Sequence, residues 1–200
     1  NFNEYSLLQY NFKFIYFGSS TVKPWHHLSN LAEIKDTIEY NGLIYKSVEH
    51  AFQAQLFIEN DRKRFSKGGD LGSWDGLKYF FKPEELDKKL KYWSKKFNIG
   101  IVAKMASNKK YHKKLKLTSI MTDKQTTFNL WFDILIKKYT IEFYRDILLD
   151  TKNSYLCEFD RLAATYPDRT YWGGMIVEKK LYGNNEMGKY LMAIRNFIQT

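Results

Sequence analysis

Apolar residues recur along this chain with two different periods, and the changes of period divide it into elements. Residues 12–17 are rich in aromatic and β-branched side chains and end at Gly18-Ser19-Ser20, which predicts a strand. Residues 37–40 and 43–45 flank Asn41-Gly42. That dipeptide suits a type I′ turn, so a hairpin is expected. Ser47 stands where it can cap a helix running from 48 to about 60, with Glu49 and Gln53 one turn apart on one face. A glycine-rich loop is expected over 65–74.

Pro83 suits the first turn of a helix whose apolar positions Leu86, Leu90, Trp93 and Phe97 keep helical spacing while lysines fill the outside. Further helical segments are predicted over 99–108, 126–138 and 141–149. Residues 166–174 read as a loop. Gly183-Asn184-Asn185 breaks structure and caps a final helix over 186–197, with Met187, Tyr190, Leu191, Ile194 and Ile198 on its apolar stripe. The sum is an α+β fold, mainly α-helical, expected as a single domain over 1–200 with a small N-terminal antiparallel sheet. No repeat, low-complexity tract or linker divides it.

Composition agrees with a folded chain. The 200 residues are 44% hydrophobic and 27% charged, and a chain of this length buries roughly 70% of its unfolded surface without staples. Aromatics reach 18%, enough to build a core and still line a pocket that stacks on flat rings. The single cysteine, Cys157, cannot form an internal disulfide, which suggests a reducing compartment; a packed thiol is favoured over a nucleophile. No run of about 18 apolar residues exists, so no transmembrane helix and no membrane partner is expected. Residues 1–10 show no basic start followed by an apolar run. The expected location is the cytoplasm.

The net charge of +10 is concentrated. Between Lys78 and Lys116 stand 13 Lys, no Arg and three acids, Glu84, Glu85 and Asp87. Such a stretch suits a phosphate backbone, or is simply a solvated lysine face. Without Arg, base-edge reading of duplex DNA is not supported. The chain has no phosphate-binding P-loop, dinucleotide glycine fingerprint, HExxH, CxxC or GxSxG. His26-His27 lack a further spaced ligand, so no metal is expected, and no cofactor is implied.

Three segments carry a resemblance. The first is Trp25-His26-His27-Leu28-Ser29-Asn30-Leu31, followed after the hairpin by Ser47-Val48-Glu49-His50-Ala51-Phe52-Gln53-Ala54. The second is Asp168-Arg169-Thr170-Tyr171-Trp172-Gly173-Gly174. The third runs from Gly183-Asn184-Asn185-Glu186-Met187-Gly188 to Leu191-Met192-Ala193-Ile194-Arg195. In order and spacing they resemble the NADAR (YbiA-like) family and bracket nearly the whole chain. Residues 93–105 are similar to the family's middle helix, less distinctively. One extra residue separates Asp168 from Trp172, and Leu56 stands where the family often has Lys. Lys67, beside Gly68-Gly69, is a candidate to replace that cation.

The resemblance implies a hydrolase, an N-glycosidase cutting between ribose or ADP-ribose and a nitrogen base, with removal of ADP-ribose from guanine in DNA as the leading expectation. Ribosylamino intermediates of riboflavin synthesis are the alternative substrate. An ADP-ribose- or NAD-binding module without catalysis is a second reading, and a non-enzymatic nucleic-acid binder a third. The expected partners are an ADP-ribose-type ligand and ADP-ribosylated DNA along the basic stretch.

Hydrolysis of an N-glycoside passes through an oxocarbenium-like state that a carboxylate stabilises. Glu49 is the first candidate, as stabiliser or general base; an ordinary acid at a helix start is its rival reading. Asp168 is the second, as proton donor or hydrogen-bond partner for the leaving base, or as a plain turn residue. His50 and Gln53 accompany Glu49. Trp172 offers a stacking face or core packing, and Gly173 close backbone approach or a turn. Ser29 and Asn30 suit ribose hydroxyls, or a turn. Lys67, Gly68 and Gly69 suit phosphate. Asn184, Asn185 and Gly188 open the last helix, where free amides can hold a phosphate, or where Asn185 simply caps; Arg195 would pair with a diphosphate or sit in a structural contact.

Overall fold

The computed structural model describes residues 13–18 and 24–200. The parts of the first predicted strand and its boundary at Phe12, Ser19 and Ser20 lie outside them. The fold is α+β and mainly helical. The chain forms two compact units, one of residues 1–29 with 142–200 and one of residues 30–141.

The unit of residues 30–141 begins with the hairpin β2 (Ile38–Tyr40) and β3 (Leu43–Tyr45), antiparallel with Tyr40 opposite Leu43. Asn41 and Gly42 both have positive φ, 50° and 72°, as a type I′ turn demands. Helix α1 (Val48–Ala54) is buried at every position. It stops six residues before its expected end because the next backbone is claimed elsewhere. Ile58 N–H donates to the Thr118 carbonyl at 3.0 Å, and Ile120 N–H donates to the Leu56 carbonyl at 2.9 Å. Phe57 bridges Ser119. A new helix, α2 (Glu59–Phe65), then starts. The predicted 48–60 helix is therefore two helices split by a tertiary β-bridge.

Beyond the glycine loop a 3-10 turn covers Trp74–Tyr79. Helix α3 (Pro83–Ser94) follows, opened by its proline as expected. None of its residues is buried, and Phe97, expected to extend its stripe, lies beyond the helix at φ 54° and half exposed. Helices α4 (Ile101–Ala106), α5 (Lys109–Leu115) and α6 (Lys124–Tyr139) complete the unit. Its core joins Val48, Ala51 and Ala54 of α1 to Val102, Ala103 and Ala106 of α4, and Phe52 stacks on Trp131 of α6 at 3.8 Å.

In the other unit, β1 (Phe14–Phe17) pairs in parallel with β4 (Tyr155–Glu158), Phe17 opposite Glu158. The expected antiparallel N-terminal sheet is thus the β2–β3 hairpin alone. A parallel partner must come from a distant segment, and no local turn signal announces one. A 3-10 turn covers Trp25–Leu28, and α7 (Glu142–Asp150) precedes β4. A second hairpin, β5 (Met175–Val177) and β6 (Lys180–Tyr182), leads to α8 (Glu186–Gln199), which packs on β4 through Leu191 and Ile194. Cys157 is fully buried on β4, and burial pushes its thiol up to about 12, consistent with a packed thiol. Among the described residues no helix is long and apolar enough to cross a membrane.

Candidate functional site

Ser47 fixes the start of α1. Its Oγ accepts from the His50 N–H at 3.1 Å, satisfying one of the amides that a helix start leaves open. The same Oγ lies 2.8 Å from His50 Nδ1, while His50 Nε2 lies 3.1 Å from the Leu71 carbonyl. A carbonyl only accepts, so Nε2 carries the proton and Nδ1 receives the Ser47 hydroxyl proton. His50 is fully buried, and burial lowers its pKa from 6.5 to about 4. Expected to touch a ligand, it is instead a neutral strut with both ring nitrogens engaged, tying α1 to the glycine loop.

Glu49 sits on the same turn, 6% exposed. Its N–H donates to the Asn30 carbonyl at 3.0 Å, and its Oε1 accepts from Gln53 Nε2 at 2.8 Å. Burial raises its pKa; the charge of Lys104 on α4 and the Gln53 hydrogen bond pull the other way without cancelling it. Gln53 Oε1 is buried with no hydrogen-bond partner among the described residues. A desolvated carboxylate, held at one oxygen by an amide and within the field of a lysine, is an arrangement suited to general base work or to a developing positive charge.

Gly100 makes this packing possible. A side-chain carbon there would lie 2.8 Å from Ser47 Oγ and 2.9 Å from Glu49 Cβ. Gly100 and Lys104 lie within the 93–105 stretch but were not singled out as site residues, because only the fold brings α4 against α1.

The glycine loop is built for packing. A carbon on Gly69 would collide with the Arg64 and Lys63 carbonyls, and one on Gly72 with the Ser66 carbonyl. Asp70 accepts from Arg64 Nε at 3.0 Å, Arg64 Nη2 at 2.7 Å and the Tyr79 hydroxyl at 2.9 Å; burial pushes its carboxyl up, but these bonds and the Arg64 charge together hold it below the usual range. Only Lys67 and Gly68 remain exposed, Gly68 at φ 95° with open space at its missing Cβ. A cavity of about 460 Å³ lies elsewhere in this unit, lined by residues 37–41, by Lys137 of α6 and by Thr140 and Ile141 just beyond that helix; Glu49 is not part of it.

In the other unit, Asn185 is fully buried at φ 49°. Its Oδ1 accepts from Glu158 N–H at 3.0 Å, and its Nδ2 donates to the Leu156 carbonyl at 2.8 Å and the Tyr155 hydroxyl at 3.2 Å. It bolts α8 to β4 rather than capping the helix. The amides expected to hold a phosphate are taken by the preceding loop. Asn185 N–H donates to Gly173, Glu186 N–H to Tyr171 and Met187 N–H to Trp172, at 2.9, 3.2 and 3.0 Å. Asn184 is exposed, with its N–H on the Thr170 carbonyl. Gly188 is where α8 crosses β4, since a side chain would strike the Leu156 carbonyl and the Asn185 amide.

Arg195 is 5% exposed and donates from Nη1 to Thr151 Oγ1 at 2.7 Å and the Ser154 carbonyl at 2.9 Å. Expected to face a diphosphate, it closes the turn between α7 and β4. Gly173 is buried, and a carbon there would lie 2.6 Å from the Glu158 carbonyl. Ser29 is buried at the end of the 25–28 turn. Asp168 and Trp172 are both exposed; the Trp172 ring packs near Tyr190 at 6.5 Å and edge-on to Tyr171 at 5.0 Å. Among the described residues, no group of three His, Cys, Asp or Glu is placed to hold a metal ion.

No family model and no curated protein matches the chain. Among solved structures it is similar to the E. coli protein YbiA, determined by NMR, with a TM-score of 0.58 and 19% identity over 95% of this chain and 87% of that chain. The likeness shows that the chain has a YbiA-like fold.

Proposed function

We propose that the protein is an N-glycosidase that hydrolyses the bond between a ribose and a nitrogen base, with Glu49 as its working carboxylate. The observation that carries this reading is the Glu49 environment: a carboxylate 6% exposed, anchored through one oxygen by Gln53 and influenced by the charge of Lys104. The sequence resemblance and the YbiA-like fold support it. In the reaction the C1′–N bond breaks with the electron pair leaving on the base. Water adds to C1′ and gives up a proton, and the base is reprotonated. Glu49 in its ionised form takes the water proton or stabilises the cationic sugar.

The substrate we assign is ADP-ribosyl-guanine in DNA. Asn30 and Gln53, both hydrogen-bonded to Glu49, are assigned to the ribose. Incubating a short DNA carrying ADP-ribosyl-guanine with wild type and Glu49→Gln, followed by mass spectrometry, tests the reading. Restored guanine with wild type and none with Glu49→Gln is expected. An untouched adduct removes the DNA substrate, and ribosylamino pyrimidines take its place in the same assay. Leu56, where the family often has Lys, favours a second reading in which ADP-ribose is held without cleavage. Calorimetric binding of ADP-ribose with no turnover of either substrate would select it.

A further inference from the structure

The segment 74–83 and helix α5 hold four part-exposed aromatic rings and several lysines, and contacts between the two segments join them. The Phe80 ring meets Tyr111 of α5 edge-on at 4.9 Å. Lys110 Nζ stands 4.6 Å over the Tyr111 ring, Lys89 Nζ 5.1 Å over Phe81, and Lys78 Nζ 5.4 Å over Tyr79. Lys114 of α5 donates to the Tyr79 carbonyl at 2.7 Å, tying the two segments together. Arg64 donates from Nη1 to the Leu115 carbonyl at 2.5 Å and pairs with Asp70, which in turn accepts from Tyr79, so both ends of the surface are mounted on one ion pair. Lys78, Lys110 and Lys114 are exposed, and the four rings are partly so. The adjoining α3 buries none of its residues.

We propose that this surface binds a single strand of nucleic acid, with phosphates on the lysines and bases on the rings. Charge complementarity chooses the occupant. The stretch from Lys78 to Lys116 carries 13 Lys against three acids, a density that attracts a polyanion and releases its counterions. The rings choose a single strand over a duplex, because unpaired bases can stack on half-exposed aromatic faces and paired ones cannot. Lysines without arginines make the contact tolerant of sequence. The binding does not depend on the glycosidase reading, since it is measured on unmodified strands without turnover.

The test is fluorescence anisotropy of labelled oligo-dT, with a duplex of equal length and polyglutamate as comparison polyanions. Expected is a dT affinity at least tenfold above both, with log affinity falling linearly against log salt. Lys78→Glu/Lys110→Glu weakens dT binding tenfold or more, while Lys124→Glu/Lys137→Glu on α6, with the same change of net charge, does not. Tyr111→Leu weakens dT binding by roughly 5-fold or more and leaves polyglutamate binding unchanged. Circular dichroism confirms that each variant is folded. Equal affinity for dT and polyglutamate, or equal losses from the two double variants, would overturn the proposal.

Discussion

Gln53 donates its side-chain amide to Glu49 Oε1 at 2.8 Å across one turn of α1, and both residues are buried. The amide favours the ionised carboxylate, which burial opposes. In Glu49→Gln the charge is gone while the shape and this hydrogen bond remain. Turnover of an N-ribosyl substrate is expected to fall by about 10²–10⁴-fold. A loss below tenfold in steady-state kinetics would remove Glu49 from the chemistry.

Gln53→Leu takes away a contact that lowers the Glu49 pKa. A general base works ionised, so if Glu49 serves as proposed the acidic limb of kcat/KM against pH is expected above the ordinary carboxylate range, and higher still in Gln53→Leu. Lys104→Met should move it the same way, because the lysine charge also lowers that pKa. Unmoved limbs with a merely reduced rate would give both residues a packing role only.

The same raised pKa has a stability consequence. The folded state holds the Glu49 proton more tightly than the unfolded chain, so this group's contribution is fully favourable below the unfolded pKa and is lost as pH rises through the folded one. Glu49→Gln should therefore raise stability at pH 7 while lowering turnover, with the gain vanishing in acid. Urea unfolding at pH 7 and pH 4 measures it.

His50, the next residue, has the opposite linkage. Its folded pKa is depressed from 6.5 to about 4, so the unfolded chain takes up its proton first as pH falls. The stability it contributes is complete above 6.5 and declines towards pH 4, by about 3 kcal/mol in all. His50→Gln lowers stability at neutral pH and flattens this acid slope. Parallel pH dependences for variant and wild type would contradict the neutral-strut assignment.

Gly188→Ala drives a methyl group into the Leu156 carbonyl and the Asn185 amide. Asn185→Ala leaves the part-buried Glu158 N–H and the buried Leu156 carbonyl without this partner. Each is expected to cost about 2–4 kcal/mol. If these residues served only a ligand, thermal unfolding of the free protein would not change.

The residues of one segment determine what that segment can do alone. Asn41-Gly42 fixed the β2–β3 turn, Ser47 the start of α1, and Pro83 the start of α3, because turns and caps depend on a few adjacent backbone groups. The α+β, mainly helical character followed from the same local periods, and the order of motifs pointed to the YbiA-like fold. Glu49 with Gln53 was legible too, since four residues on a helix are neighbours in space.

Tertiary structure decided what depends on distant partners. Residues 56–58 leave the helical pattern because 118–120 supply their hydrogen bonds, and β1 finds its parallel partner in β4, about 140 residues away. Asn185, Gly188 and Arg195 look like ligand groups in a motif, yet their polar or missing atoms are used by β4 and the turn before it. A motif states which chemical groups are present. Whether such a group faces inward or outward depends on which other backbone reaches it, and buried polar atoms must be satisfied by whatever the fold brings there.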